Sequence, residues 1–289
     1  MERIIDVHVH DVPLSRKLPT LFQQLTGRLQ EGEAWRERVE RAKLSQLIED
    51  MDRAGVTTSL VVLHEETDEF LRLAAQHPGR LFALAYYDSL SPRKGLEQVR
   101  ALCDVRPDLI LGVETALPLF HQDPRIRDFV PLYEFCLERE LPVQFHLGGA
   151  DTGEAAARPT AFGVLAASYP RLKVVCLHPG GPWHPELPSL LYQFPNLFLA
   201  ATGLQGWEAG KDGSPRTLRE LFRQSGSRTV MVGSDWPEWK ATYVDSVKNV
   251  RTLPWWQRRN VCWRTAARVY GARILEDRTT HMETPSSTR

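Results

Sequence analysis

Eight short runs of β-branched and apolar residues alternate with longer stretches of helical period, and histidine or aspartate stands at the carboxyl end of several runs. These observations predict an α/β fold, a single (β/α)8 TIM barrel. Strands separated by helices must run parallel, and eight such units close a barrel at about 250 residues.

The first run, 3–9, overlaps the stretch IIDVHVH. As a strand, its alternation sends Asp6, His8 and His10 to one face and Ile5, Val7 and Val9 to the other. Residues 11–40 are long for a strand-to-helix loop and mix apolar with basic side chains (SRKLPTLFQQLTGRLQ), which predicts a helical lid over one mouth. The remaining runs are 58–63 (TSLVVL), 81–85 (LFALA), 109–113 (LILGV), 142–147 (PVQFHL), 173–177 (KVVCL), 196–200 (NLFLA) and 229–233 (TVMVG). Apolar residues at three and four spacing predict helices over 43–54, 66–77, 93–104, 126–139, 159–169 and 215–225. Gly55, Pro78 with Gly79, Pro107, Pro170 and Gly226 stand where such helices stop. In 254–271 (PWWQRRNVCWRTAARVYG) a helical pattern opens with Pro254 and stops at Gly271, and is read as the closing helix. No linker rich in proline, glycine or serine divides the chain. Residues 1–277 therefore read as one domain and 278–289 as a polar, disordered tail.

With 42% hydrophobic and 25% charged residues, the 289-residue chain has material for a large core. Lys plus Arg and Asp plus Glu are both 36, so the formal charge is zero, and no basic stripe with interleaved aromatics stands out. Nucleic acid is not an expected partner. No segment approaches 18 uninterrupted apolar residues, which argues against a membrane span, and the start lacks the basic and apolar regions of a signal peptide. The expected location is cytoplasmic. Cys103, Cys136, Cys176 and Cys262 lie far apart in apolar surroundings and are expected to be reduced core thiols.

The functional signal is where the polar residues fall. His8 and His10 close the first run, His146 is near the end of the fifth, His178 follows the sixth in VVCLHPGG, and Asp235 follows the eighth in VMVGSDWP. In such a barrel these ends form one mouth, where chemistry resides. Residues two apart on a strand share a face with Cα atoms roughly 6.5 Å apart, so His8 and His10 can chelate one ion. Adding His146 and Asp235 gives three imidazoles and a carboxylate. That set suits one divalent ion, zinc first, with manganese, iron or cobalt also fitting. Such an ion lowers the pKa of bound water from about 15.7 to about 7. Asp235 would take that water's proton and pass it to the leaving group, and His178 would hydrogen-bond the oxyanion or the water. Asp6 is expected either to orient a ligand or to bond backbone. His64, at the end of the second run, is the further histidine that can reach the mouth.

The D-V-H-V-H start, Q-F-H, L-H-P-G-G, G-S-D-W-P and the R-N-V-C-W-R-T-A-A-R-V-Y-G ending, in this order over about residues 3–271, resemble the amidohydrolase superfamily in its amidohydrolase-2 branch. That branch includes aminocarboxymuconate-semialdehyde decarboxylase, related aromatic-acid decarboxylases and lactonases. The resemblance implies His8, His10, His146 and Asp235 as metal ligands, His178 as the residue that polarises substrate or handles the attacking water, and, in many relatives, a dimer. Two departures stand out. Binuclear relatives place a lysine where this chain has Glu114 in GVETA, which favours a single metal, with Glu114 bridging a second ion as the alternative. The ending carries Thr265 where asparagine is usual, away from the mouth.

Trp183, Trp236 and Trp239, with Trp207 and His184, follow the sixth to eighth runs and are expected to wall the site for a flat small-molecule substrate. Arg28, with Arg16, Lys17 and Lys240, is placed to bind a substrate carboxylate. The first reading of function is a metal-dependent hydrolase of a small amide, lactone or ester. The alternative is a metal-dependent non-oxidative decarboxylase of an aromatic or unsaturated acid, and the third is a barrel that binds without turnover.

Overall fold

A computed structural model of the chain describes residues 2–11, 39, 41–64, 68–147, 158–178, 181–202, 216–237 and 243–276. All eight predicted runs are strands: β1 (Ile5–His10), β2 (Thr58–Leu63), β3 (Leu81–Tyr86), β4 (Ile110–Thr115), β5 (Val143–His146), β6 (Val174–Leu177), β7 (Leu197–Ala201) and β8 (Val230–Val232). Each pairs in parallel with the next, and β8 returns to β1 through Val232 and Asp6, closing the predicted barrel. The lid expected over 11–40 lies, apart from Asp11 and Val39, outside the described residues, as does the 278–289 tail.

Among the described residues the helices are α1 (Leu44–Ala54), α2 (Asp68–Gln76), α3 (Pro92–Val105), α4 (Val130–Glu138), α5 (Pro159–Ser168), α6 (Leu187–Gln193), α7 (Arg216–Ser225), α8 (Tyr243–Lys248), α9 (Trp255–Arg259) and α10 (Thr265–Tyr270), all in predicted stretches except α6 and α8, where the sequence predicts none. In α1 the buried residues are Leu44, Leu47, Ile48, Met51 and Ala54, the stripe that a 3.6-residue period lays against a sheet. Gln46 Oε1 accepts the Lys43 N–H at its start, and Gly55, at φ 70° and ψ 30°, supplies the left-handed residue that ends it. α4 starts later than the sequence suggests because Pro131 occupies its first turn, leaving Arg127–Phe129 as a separate 3-10 turn. The closing helix runs from Pro254 to Gly271 as expected, with a π-helical segment, Asn260–Arg264, joining α9 to α10. Among the described residues no helix is long and apolar enough to cross a membrane. The four cysteines are buried and unpaired, and burial pushes the Cys103 thiol up to about 11.

Register decides which side chains enter the cavity. In β1 the pairing with β2 shifts between Asp6 and Val9: Asp6 is opposite Ser59, Val9 opposite Val61 and His10 opposite Val62. The extra residue breaks the alternation read from the sequence, a β-bulge in effect, and puts Asp6 on the face of Val9 rather than that of His10. Asp6 accordingly faces the helix layer, where Tyr243 of α8 also bonds Ser59, with 3.0 Å between the two oxygens. On the cavity face, Val62 leads through Leu84 to Gly112 across β2, β3 and β4, and one step higher Tyr86 is opposite Glu114 and Glu114 opposite Gln144.

Gln144 crosses the barrel. It is fully buried, and its amide donates to the Val7 carbonyl at 2.9 Å and to the hydroxyl of Tyr270 on the closing helix. A polar group in that position ties opposite walls together and fixes the helix that follows β8. Gln144→Leu should lower stability by about 1–3 kcal/mol in urea unfolding, because it leaves buried groups without that donor, while metal content stays unchanged.

Candidate metal centre

Four strand ends and two unusual backbone turns bring the ionisable groups together. His8 and His10 come from β1 and His146 from β5, while His178 and Asp235 follow β6 and β8 with φ of 62° and 60°. A left-handed conformation is costly for a residue with a Cβ, so it persists where the surroundings hold it. Asp6 and Ser234 hold the second turn. Asp6 Oδ1 accepts the N–H groups of His8 (3.1 Å) and Ser234 (3.0 Å), and Oδ2 accepts the Ser234 hydroxyl at 2.5 Å. Thr202, just past β7, holds the first: its Oγ1 accepts the His178 backbone N–H at 3.0 Å and lies 2.6 Å from His178 Nδ1. Gly233 keeps the space open, since a Cβ there would stand 2.2 Å from Thr202 Cγ2.

Asp235 is the hub. Its Oδ1 lies 3.1 Å from both His8 Nε2 and His10 Nε2. His8 is bracketed: its Nδ1 stands 3.1 Å from Glu114 Oε2, an ion-pair approach rather than an aligned hydrogen bond. The His8 and His178 rings meet edge to face at 6.0 Å, and those of His146 and His178 lie tilted at 57° with centroids 4.3 Å apart. Ligand atoms of His8, His178 and Asp235 all lie within 4.8 Å of one another. The structure thus brings His178, expected to face the substrate, into the ligand cluster, with His10 on the same Asp235 oxygen and His146 beside His178.

The electrostatics favour positive charge around Asp235. Burial, the largest single influence on His8, lowers its pKa, but Glu114 and Asp235 together outweigh it and lift the group to about 10. His10 is raised in the same way, through Asp235. Asp235 is held well below the usual carboxylate range, its burial overcome by the bonds from His10 and His8, and Glu114 is lowered by His8. His146 and His178 are lowered by burial and stay neutral, with lone pairs available. Buried and without a hydrogen-bond partner are His10 Nδ1, His146 Nδ1 and His178 Nε2, while His8 Nδ1 and Glu114 Oε2 meet only each other, as an ion pair. Unpaired buried polar atoms are costly, and so many around one carboxylate fit a bound divalent ion.

The family model for amidohydrolases, Amidohydro_2, matches residues 5–272. The chain belongs to this amidohydrolase family. No curated protein matches the sequence. Among solved structures, the fold is shared with an uncharacterised TIM-barrel protein of Bordetella bronchiseptica at 18% identity, covering 95% of this chain and 100% of that one, with a TM-score of 0.72. It is also shared with a 5-carboxyvanillate decarboxylase of Novosphingobium aromaticivorans complexed with manganese and 4-hydroxy-3-methoxy-5-nitrobenzoic acid, at 13% identity, 93% and 96% coverage and a TM-score of 0.66. A third is a 2,6-dihydroxybenzoate decarboxylase from Rhizobium, at 14% identity, 93% and 99% coverage and a TM-score of 0.64. At such identities the likeness is one of fold.

The expected aromatic wall is only partly described. Trp236 is 8% exposed, and its indole N–H donates to Asp50 of α1 at 2.9 Å, so it packs toward the helix layer. Trp183 lies beneath the Arg158 guanidinium at 4.6 Å, and Arg158 pairs with Glu186. Trp239, Trp207, Arg28, Arg16, Lys17 and Lys240 lie outside the described residues. Thr202 and Ser234 are the supports that sequence reasoning missed. Their signal is a hydroxyl residue just beyond the seventh and eighth runs. Thr202→Val removes both bonds to His178 with little change in shape. It should weaken metal affinity about 10- to 100-fold in a chelator-competition titration while the far-ultraviolet circular dichroism is unchanged.

Proposed function

We propose that the chain is a metal-dependent non-oxidative decarboxylase of a small aromatic or unsaturated carboxylic acid. The observation that carries this reading is the buried convergence of His8, His10, His178 and Asp235, with unpartnered nitrogens on His146 and His178. His8, His10 and Asp235, together with His146 and His178, are the residues that would hold one divalent ion. The donor set suits zinc or manganese, and manganese is the ion named with the Novosphingobium relative. The hydrolase that the sequence places first uses the same residues. Support shifts to decarboxylation because structural relatives at 93% coverage of the chain are decarboxylases of hydroxylated benzoic acids.

A divalent ion held by these residues would supply positive charge that anchors and orients the acid against the cluster. Loss of carbon dioxide breaks a C–C bond and leaves the electron pair on the ring carbon, which must then take a proton. Asp235, which is ionised at rest and accepts from two imidazoles, would relay that proton from solvent to the ring carbon and return to its carboxylate form. His178 presents Nε2 to the same space because Thr202 fixes its other nitrogen. The apolar strands beneath the cluster exclude water and so strengthen each of these interactions.

Protein purified without added metal or chelator should carry about one transition ion per chain by plasma mass spectrometry, lost in His8→Ala. It should release carbon dioxide from hydroxylated benzoic acids, and Asp235→Asn should slow that release at least about 100-fold. Acid release from lactones or amides without carbon dioxide from any carboxylate would return the hydrolase to first place.

A further inference from the structure

A second polar pair lines the mouth next to the cluster, on the wall the proposed metal site leaves unused. His64 follows β2 on the cavity side, two residues beyond Val62, which is opposite His10. It therefore stands roughly 6.5 Å further up the wall than the level of His10. Its Nδ1 lies 3.0 Å from Oδ1 of Asp11, the residue after β1, whose own N–H reaches the Val62 carbonyl at 3.3 Å. The Asp11 side chain is 1% exposed and the His64 side chain 10%, so the imidazole is the more open member of the pair. On its other side the His64 ring lies over Tyr86, with centroids 4.4 Å apart and planes 34° from parallel. Tyr86 is opposite Glu114, and Glu114 touches His8. Asp11, His64, Tyr86 and Glu114 thus form a continuous row from the first strand to the fourth that ends on the metal cluster.

A carboxylate on one imidazole nitrogen fixes the ring's orientation and directs the other nitrogen's hydrogen bond. The stack on Tyr86 removes the remaining freedom of the ring. Such a ring, one layer above the histidine and carboxylate cluster, is pre-aimed at a second polar group of whatever binds there. We propose that His64, aimed by Asp11 and stacked on Tyr86, binds a substrate oxygen other than those at the metal cluster and selects acids bearing a ring hydroxyl. The class of substrate rests on the decarboxylase reading; the pre-aimed histidine does not.

The test is calorimetric titration of the metal-loaded full-length protein with 2,6-dihydroxybenzoate and with benzoate. Wild type should prefer the hydroxylated acid. His64→Ala should lower that preference about tenfold, the value of one good hydrogen bond, with benzoate affinity and metal content unchanged. Asp11→Asn should give a smaller loss in the same direction. His64→Phe keeps a ring on Tyr86 without its nitrogens and decides the matter if His64→Ala does not fold: preference lost supports the proposal, preference kept overturns it. Equal weakening for both acids, or loss of the metal in His64→Phe, would make the pair a structural support and overturn the proposal. So would a wild type that binds neither acid. Preferential binding without carbon dioxide release would remove the decarboxylase and leave the role of His64 standing.

Discussion

The charge on Asp235 is the constraint around which the upper half of the barrel is arranged. A buried carboxylate is tolerated only when its charge is met, and here one oxygen is shared by two imidazoles at 3.1 Å. That arrangement needs His8 and His10 on the same wall, a turn after β8 that reverses the direction of the side chain, and something to hold the turn. Asp6 supplies the last by accepting from both strands that flank it, gripping Ser234 twice and His8 once. Burial raises the pKa of Asp6, and its bonds to Ser234 and Tyr243 work against that. One carboxylate on the helix side therefore fixes the geometry of another on the cavity side.

The strands were legible in the sequence because β-branched runs between helical stretches have one economical topology, and every predicted run became a strand. The site's members were legible because their positions at strand ends need only that topology. What the sequence did not carry was orientation. Strict alternation put Asp6 with His8 and His10, whereas a shift of register between Asp6 and Val9 turns it to the helices. Periodicity says nothing about a positive φ, so the left-handed turns that aim His178 and Asp235 are not readable from it, although the strand ends already place both residues at one mouth. Trp236 illustrates the same limit: a tryptophan beside a site residue reads as a wall, but its N–H found Asp50. The helix over 187–193 escaped notice because Pro185 and Pro188 interrupt its apparent period, although Pro188 at the first turn is where a helix accepts proline.

The two halves of the mouth differ in chemistry. β1, β5, β6 and β8 deliver imidazoles and Asp235 around a single point. β2, β3 and β4 deliver His64, Tyr86 and Glu114 in a row. An ion held on one side and directional hydrogen bonding on the other is what a reaction needs when the bond that breaks and the group that steadies the substrate lie at opposite ends of a small flat molecule.

Glu114 joins the halves, and its sign matters. A lysine in this place would bring a positive charge beside His8 and compete with a cation, unless its own chemistry neutralised it. A glutamate adds negative charge and stands behind the His8 nitrogen that does not face Asp235. A carboxylate in that position orients a ligand histidine and raises its basicity, so it strengthens the hold on an ion it does not touch. Engaged with His8 Nδ1 at 3.1 Å, Glu114 is better matched to that role than to bridging a second ion. The departure from the binuclear pattern and the proposed single ion at Asp235 then share one electrostatic origin, the negative charge of Glu114 on His8.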